Sequence, residues 1–117
     1  MPYVDGFIVA VQKDKIEAYK ALARTAGEVW KDHGALAYVE CIGDDVPYGK
    51  LTSFPRAVQA SEDETVIFSW IVYESRQERD RIVAKVMADP RLKHNPAEMP
   101  FDGKRMIYGG FETFLQL

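Results

Sequence analysis

The stretch Thr65 to Tyr73, TVIFSWIVY, is the most β-prone run in the chain, and it is apolar on both sides. Alternate side chains of a strand point to opposite faces. Phe68, Trp70 and Val72 therefore point one way, and Ile67, Ile71 and Tyr73 the other. The first apolar run, Tyr3 to Val11, repeats this, with Tyr3, Phe7, Val9 and Val11 against Val4, Ile8 and Ala10. The last run, Lys104 to Leu115, sets Met106, Tyr108 and Phe114 against Ile107, Phe111 and Leu115. An antiparallel sheet with one wet face alternates apolar and polar residues. A sheet made from these strands has to be covered on both faces.

Two helices are available to do the covering. From Lys13 to Asp32, Ile16, Tyr19, Ala23, Ala26 and Trp30 recur at steps of three and four, with Leu22 and Val29 widening the stripe. That is an amphipathic helix, and His33-Gly34 supplies its stop. Ser75-Arg76-Gln77-Glu78 matches a capping box, which opens a second helix with Ile82, Val83, Val86 and Met87 on its apolar side. Asp89-Pro90 ends it. Between the helices, Ala35 to Ile42 reads as a strand, Asp44 to Lys50 as turn residues and Phe54 to Ala60 as a further short strand. A loop with Pro96 and Pro100 and a turn at Asp102-Gly103 lead into the last strand.

The order β-α-β-(β)-β-α-β is the split βαβ pattern of a ferredoxin-like α+β fold, in one domain spanning residues 1–117. Two helices cover one face of such a sheet. In 117 residues no element is left for the other, so a second copy packed sheet against sheet about a two-fold axis is the economical cover. A homodimer is expected.

Composition narrows the function classes. With 12% aromatics and a net charge of -3, the chain is not intrinsically disordered. Its apolar runs fall far short of the roughly 18 residues a membrane helix needs, so no membrane partner is expected. One cysteine, Cys41, can form no internal disulfide, and the opening Met1-Pro2-Tyr3-Val4-Asp5-Gly6 has no secretory pattern. The cytoplasm is the expected location. A pI near 5.4 offers no general attraction to nucleic acid, which is not expected as a partner.

Several segments resemble a family of small uncharacterised proteins typified by YbaA, in the dimeric α/β-barrel superfamily. They are Tyr3-Val4-Asp5-Gly6-Phe7, Gly34-Ala35-Leu36, Val39-Glu40-Cys41, Asp45-Val46-Pro47 with Gly49-Lys50, Phe68-Ser69-Trp70 and Asp89-Pro90-Arg91. The longest runs from Met99 to Glu112, MPFDGKRMIYGGFE. The resemblance implies a ferredoxin-like subunit that dimerises through its sheets as a dimeric α/β-barrel, with no settled activity. The wider superfamily includes cofactor-free monooxygenases, haem-degrading enzymes and small-molecule isomerases. That points to a cavity between sheet and helices as the place for a ligand.

The residues themselves offer few chemical motifs. His33 and His94 lack the spacing of zinc ligands, and Glu40 and Cys41 point to opposite sides of a strand, so no metal site and no cofactor are expected. Cys41 reads as a buried packing residue. Neither Asp102-Gly103-Lys104-Arg105 nor Gly109-Gly110 opens a helix as a phosphate loop would. The second helix region carries Arg76, Arg79, Arg81, Lys85, Arg91 and Lys93 against Glu78, Asp80 and Asp89, a local excess of +3. RNA binding through that face is the third-ranked reading, because the aromatic platform for unpaired bases is missing there.

Ionisable residues inside the expected strands are more informative, since such positions are rarely buried without partners. Asp5, Glu40, Arg56 and Glu112 sit among Tyr38, Phe68, Trp70 and Tyr108. They fit ion pairs at the dimer seam, or a polar pocket in which Asp5 or Glu40 is a base. In the second case Arg56 or Arg105 would hold an anion and Trp70 would form an aromatic wall, with Tyr38 and Tyr108 alongside. The leading functional reading is a small-molecule-binding protein or cofactor-independent enzyme with its pocket between sheet and helices. The alternative is a non-enzymatic interaction or regulatory module whose exposed helices meet another protein.

Overall fold

The computed structural model describes residues 1–93 and 98–117. His94 and Pro96, assigned above to a loop, lie outside the described residues. Strands β1 (Tyr3–Gln12), β2 (Ala37–Ile42), β3 (Glu64–Tyr73) and β4 (Ile107–Glu112) form one antiparallel sheet in the order β2-β3-β1-β4. Helices α1 (Ile16–His33) and α3 (Arg76–Met87) are the two crossovers, and a short α2 (Phe54–Ala57) lies between β2 and β3. This is the ferredoxin-like α+β fold.

Register decides which side chains meet the helices. β1 pairs Tyr3 with Tyr73, Asp5 with Ile71 and Val9 with Ile67. These residues share the face under α1 and α3, where Val29, Ile71, Tyr73, Ile82 and Val86 make the main core. Val9, Val11, Tyr19 and Ile67 continue it towards the other end of the sheet. α1 ends at Gly34, whose φ of 120° favours glycine and whose amide closes on the Lys31 carbonyl at 3.1 Å. α3 starts as the capping box predicts on one side only. Ser75 Oγ accepts from the Glu78 amide at 3.1 Å, while the Glu78 carboxylate takes Arg81 Nε at 2.7 Å instead of returning to Ser75.

Two expectations are corrected. Phe54 to Ala60 is not a strand: Ser53 Oγ accepts from the Arg56 amide at 3.0 Å and Pro55 sits in the first turn, the pattern of a helix start. α2 leads into Val58, which packs on Ala10 and Val66 and covers one end of the second sheet face. Cys41 is exposed rather than buried, because it lies on the outer strand β2 and pairs with Phe68, pointing away from the helices.

Beyond α2 the second face is open. Val4, Val39, Trp70 and Val72 are half-buried there, while Phe68, Ile107 and Phe111 are 42%, 42% and 64% exposed. The strands are apolar on both sides, and the helices cover only one.

Candidate functional site

α1 does not seal against the outer strand β2. Between them runs a cleft of about 570 Å³, within the range of small-molecule pockets. Its walls are largely apolar: Ile16, Ala23 and Gly27 from α1, Ile42 from β2, and Ile67 behind them. Tyr19, Tyr38 and Glu40 bring the polar atoms into it. Tyr38 and Glu40 are two apart on β2, so both face the helices, and Tyr19 descends from the buried side of α1.

Glu40 is gripped at both oxygens. Tyr19 donates its hydroxyl to Oε1 and Tyr38 donates to Oε2, each at 2.7 Å. Burial first, and the Glu40 charge second, push both phenols well above the ordinary tyrosine range. Both therefore stay protonated and keep donating. Each carboxylate oxygen has room in its lone pairs for one further donor. Gly27 makes space for the Tyr38 ring, since a Cβ there would lie 2.8 Å from Cδ1. Trp30 flanks the same ring at 6.0 Å between centroids. At the rim, Arg24 pairs with Glu28 at 3.3 Å and Lys31 donates to the Leu36 carbonyl at 2.9 Å.

Asp5 sits elsewhere, buried beneath α1 and α3. Tyr73 donates to its Oδ2 at 2.8 Å and accepts from Trp30 Nε1 at 3.0 Å. Arg79 Nε lies 3.6 Å from Asp5 Oδ1, and Arg79 Nη2 donates to the Tyr3 hydroxyl at 3.0 Å. This network ties helices to sheet and does not line the cleft. Asp5 and Glu40 both lie on the helix side of the sheet, so neither sits on the open face where a dimer seam would run.

The other residues singled out above are dispersed. Arg56 is on α2, where it donates to the carbonyls of Tyr48 and Gly49 at 3.0 Å each and lies 4.0 Å over the Tyr48 ring. It clamps its own loop. Arg105 is held by Glu64 at 2.6 Å and by Asp102 at 3.3 Å. Trp70 is on the opposite face from Glu40, because it is one residue out of phase with Ile71. Tyr108 stacks on Phe7 at 6.2 Å and is largely exposed. Only Tyr38 and Glu40 of that set share a cleft. Tyr19, read from sequence as core, is the member that sequence reasoning missed. The available signal was a buried tyrosine, whose hydroxyl needs a partner.

The basic residues around α3 are mostly spoken for. Arg81 pairs with Glu78 at 2.7 Å, Arg76 with Asp80 at 3.8 Å, and Arg91 with Asp89 and Asp32 at 2.8 Å each. Among the described residues no three His, Cys, Asp or Glu side chains converge as metal ligands. Nor is any described helix long and apolar enough to cross a membrane.

The sequence pattern of the family described as "Protein of unknown function (DUF1428)" matches residues 2–103. The chain belongs to that family. It is 55% identical over 115 residues to "Uncharacterized protein YbaA" of Escherichia coli strain K12, covering 98% of each chain. Two solved structures show the same fold at low identity. One is a dimeric ferredoxin-like protein from an uncultured marine organism, with a TM-score of 0.57 at 11% identity over all of both chains. The other is an uncharacterised NIPSNAP domain protein from Burkholderia xenovorans, with a TM-score of 0.59 at 12% identity over 97% of this chain and 98% of that one. None of these relatives carries a specific function that could be passed on.

Proposed function

We propose that this DUF1428 protein is a homodimeric small-molecule-binding protein whose ligand occupies the cleft between α1 and β2. The observation that carries the reading is Glu40, a carboxylate set in an apolar cleft and oriented by two tyrosine hydroxyls. Placing a carboxylate under a helix costs free energy that Val or Ile at the same position would not. Its spare acceptor capacity suits a ligand with an apolar body and one donating head group, such as an alcohol, an enol or an amine. The same carboxylate is positioned to accept a proton from that head group, with no metal or cofactor among the groups this step uses. Glu40 is thus the proposed base and Tyr38 a proposed ligand contact. Arg56, Trp70, Arg105 and Tyr108 fall outside this proposed site, and Asp5 has a structural part. Homodimerisation is supported by the open apolar face and by a related fold that is described as dimeric.

Native mass spectrometry of gently purified protein tests this, followed by thermal shift with 4-alkylphenols and benzylamines. Retained mass, or a raised Tm with either series, is expected for the wild type. Glu40→Gln, which keeps the shape but not the charge, and Ala23→Phe, which fills the cleft, should lose it. A wild type that retains nothing and responds to neither series sinks the reading, as does undiminished binding by both variants.

A further inference from the structure

Among the described residues, five acidic side chains are buried or half-buried, and four of them meet an arginine. Arg79 Nε lies 3.6 Å from Asp5 Oδ1, and Arg105 Nη2 lies 2.6 Å from Glu64 Oε2. Arg81 Nε is 2.7 Å from Glu78 Oε2, and Arg91 Nη2 is 2.8 Å from Asp89 Oδ2. Glu40 is the fifth. Its two hydrogen bonds come from phenols, which orient a carboxylate without neutralising it. Among the described residues no lysine, arginine or histidine nitrogen stands within 4.0 Å of its oxygens.

The cations nearest the cleft are engaged elsewhere. Lys20, Arg24 and Lys31 line its rim. Lys20 pairs with Glu17 at 3.4 Å, Arg24 pairs with Glu28 at 3.3 Å, and Lys31 donates to the Leu36 carbonyl at 2.9 Å. The Lys20 and Arg24 side chains are 63% and 84% exposed, so both heads stay in water. A carboxylate without a counter-charge is costly to hold in an apolar site, and an arriving cation removes that cost. Every other withdrawn acid receives a guanidinium from its own chain. At Glu40 the missing charge is left for the occupant of the cleft.

Resting on the cleft reading above, we propose that the ligand's head group is a cationic nitrogen: a protonated primary or secondary amine on an apolar body, with Glu40 as its counter-ion. Alcohols, enols and amines all suit the hydrogen bonding of the cleft, and charge selects among them. Each Glu40 oxygen takes one phenol and has room for a further donor. A primary or secondary ammonium carries at least two N–H groups, enough to serve both oxygens, whereas a hydroxyl carries one. Hydrogen bonds between two charged partners are about twice as strong as neutral ones. The rings of Tyr19 and Tyr38 line the cleft, and Trp30 flanks Tyr38 at 6.0 Å between centroids. Such a surround favours a positive head group over a neutral one. Carboxylates and phosphate esters are repelled by Glu40. Ile16, Ala23, Ile42 and Ile67 require the rest of the ligand to be apolar.

Isothermal titration calorimetry at neutral pH with two probes of one shape tests the assignment. 4-Butylbenzylamine is protonated there, and 4-butylbenzyl alcohol is neutral. The wild type should bind the amine about tenfold more tightly or better. Raising the salt concentration should narrow that advantage, which reads the charge without any substitution. Glu40→Gln, with circular dichroism to confirm folding, should bind the two probes alike, because the amide keeps the shape and loses the charge. An alcohol bound as tightly as the amine, an advantage indifferent to salt, or one that survives Glu40→Gln overturns the cationic assignment while leaving the cleft as a ligand site. A wild type that binds neither probe overturns the assignment, and if 4-alkylphenols also give no response the cleft reading falls with it.

Discussion

Tyr38 answers to three neighbours at once: its hydroxyl donates to Glu40, its ring lies against Trp30, and its edge passes over the bare Cα of Gly27. Gly27→Ala would ordinarily stabilise a helix interior by about 1 kcal/mol. Here the new methyl would sit 2.8 Å from a ring carbon that two other contacts hold in place. The expected outcome is a net loss of about 1 kcal/mol in urea unfolding, with reduced ligand response. A stabilised variant would show that the ring is free to move. Glu64 supplies a second residue-scale prediction. Its hydrogen bonds from Arg105 lower its pKa from 4.5 to about 2. The folded state then holds the proton less readily than the unfolded chain. The stabilisation is complete above 4.5 and is lost as pH falls towards about 2. Glu64→Gln should cost about 2 kcal/mol at neutral pH. Unfolding curves of variant and wild type should converge in strong acid, and a pH-independent gap would contradict the assignment.

Elements follow their local signals where those signals are dense. α1 carries a stripe repeated over eighteen residues and stops where glycine takes a φ of 120°. α3 depends more on its cap, because its exposed side holds several charges and its core contribution is mainly Ile82 and Val86. Ser75→Ala should therefore cost about 1 kcal/mol, measured as a shift in the denaturation midpoint with unchanged slope. α2 shows how short elements mislead. Phe54, Val58 and Ala60 suggest a strand, but Ser53 and Pro55 outweigh them by satisfying and pre-setting the first helical turn. With four residues there is no periodicity to arbitrate.

Across the whole molecule, the sheet divides the work between its faces. The helix side holds the core, the Asp5–Tyr73–Arg79 network and, where α1 leaves β2 uncovered, the cleft around Glu40. The other side is apolar, covered by Val58 at one end only. The proposed ligand site and the proposed dimer seam therefore lie on opposite faces of the same strands. A substitution at Trp70 therefore alters the open face without touching Glu40, and a substitution at Glu40 alters the cleft without touching the open face.

The order of the four sheet strands and the two long helices, and the double apolarity of β1 and β3, were present in the sequence. They arise from periodicities of two and of three to four residues, which neighbouring positions carry. Tertiary structure decided which apolar face the helices take, and so separated Trp70 from Glu40. It also decided that Tyr19 reaches Glu40 across 21 positions and Tyr73 reaches Asp5 across 68. Those pairings depend on strand register and on where a helix crosses the sheet, and both are set by contacts between residues far apart in the chain.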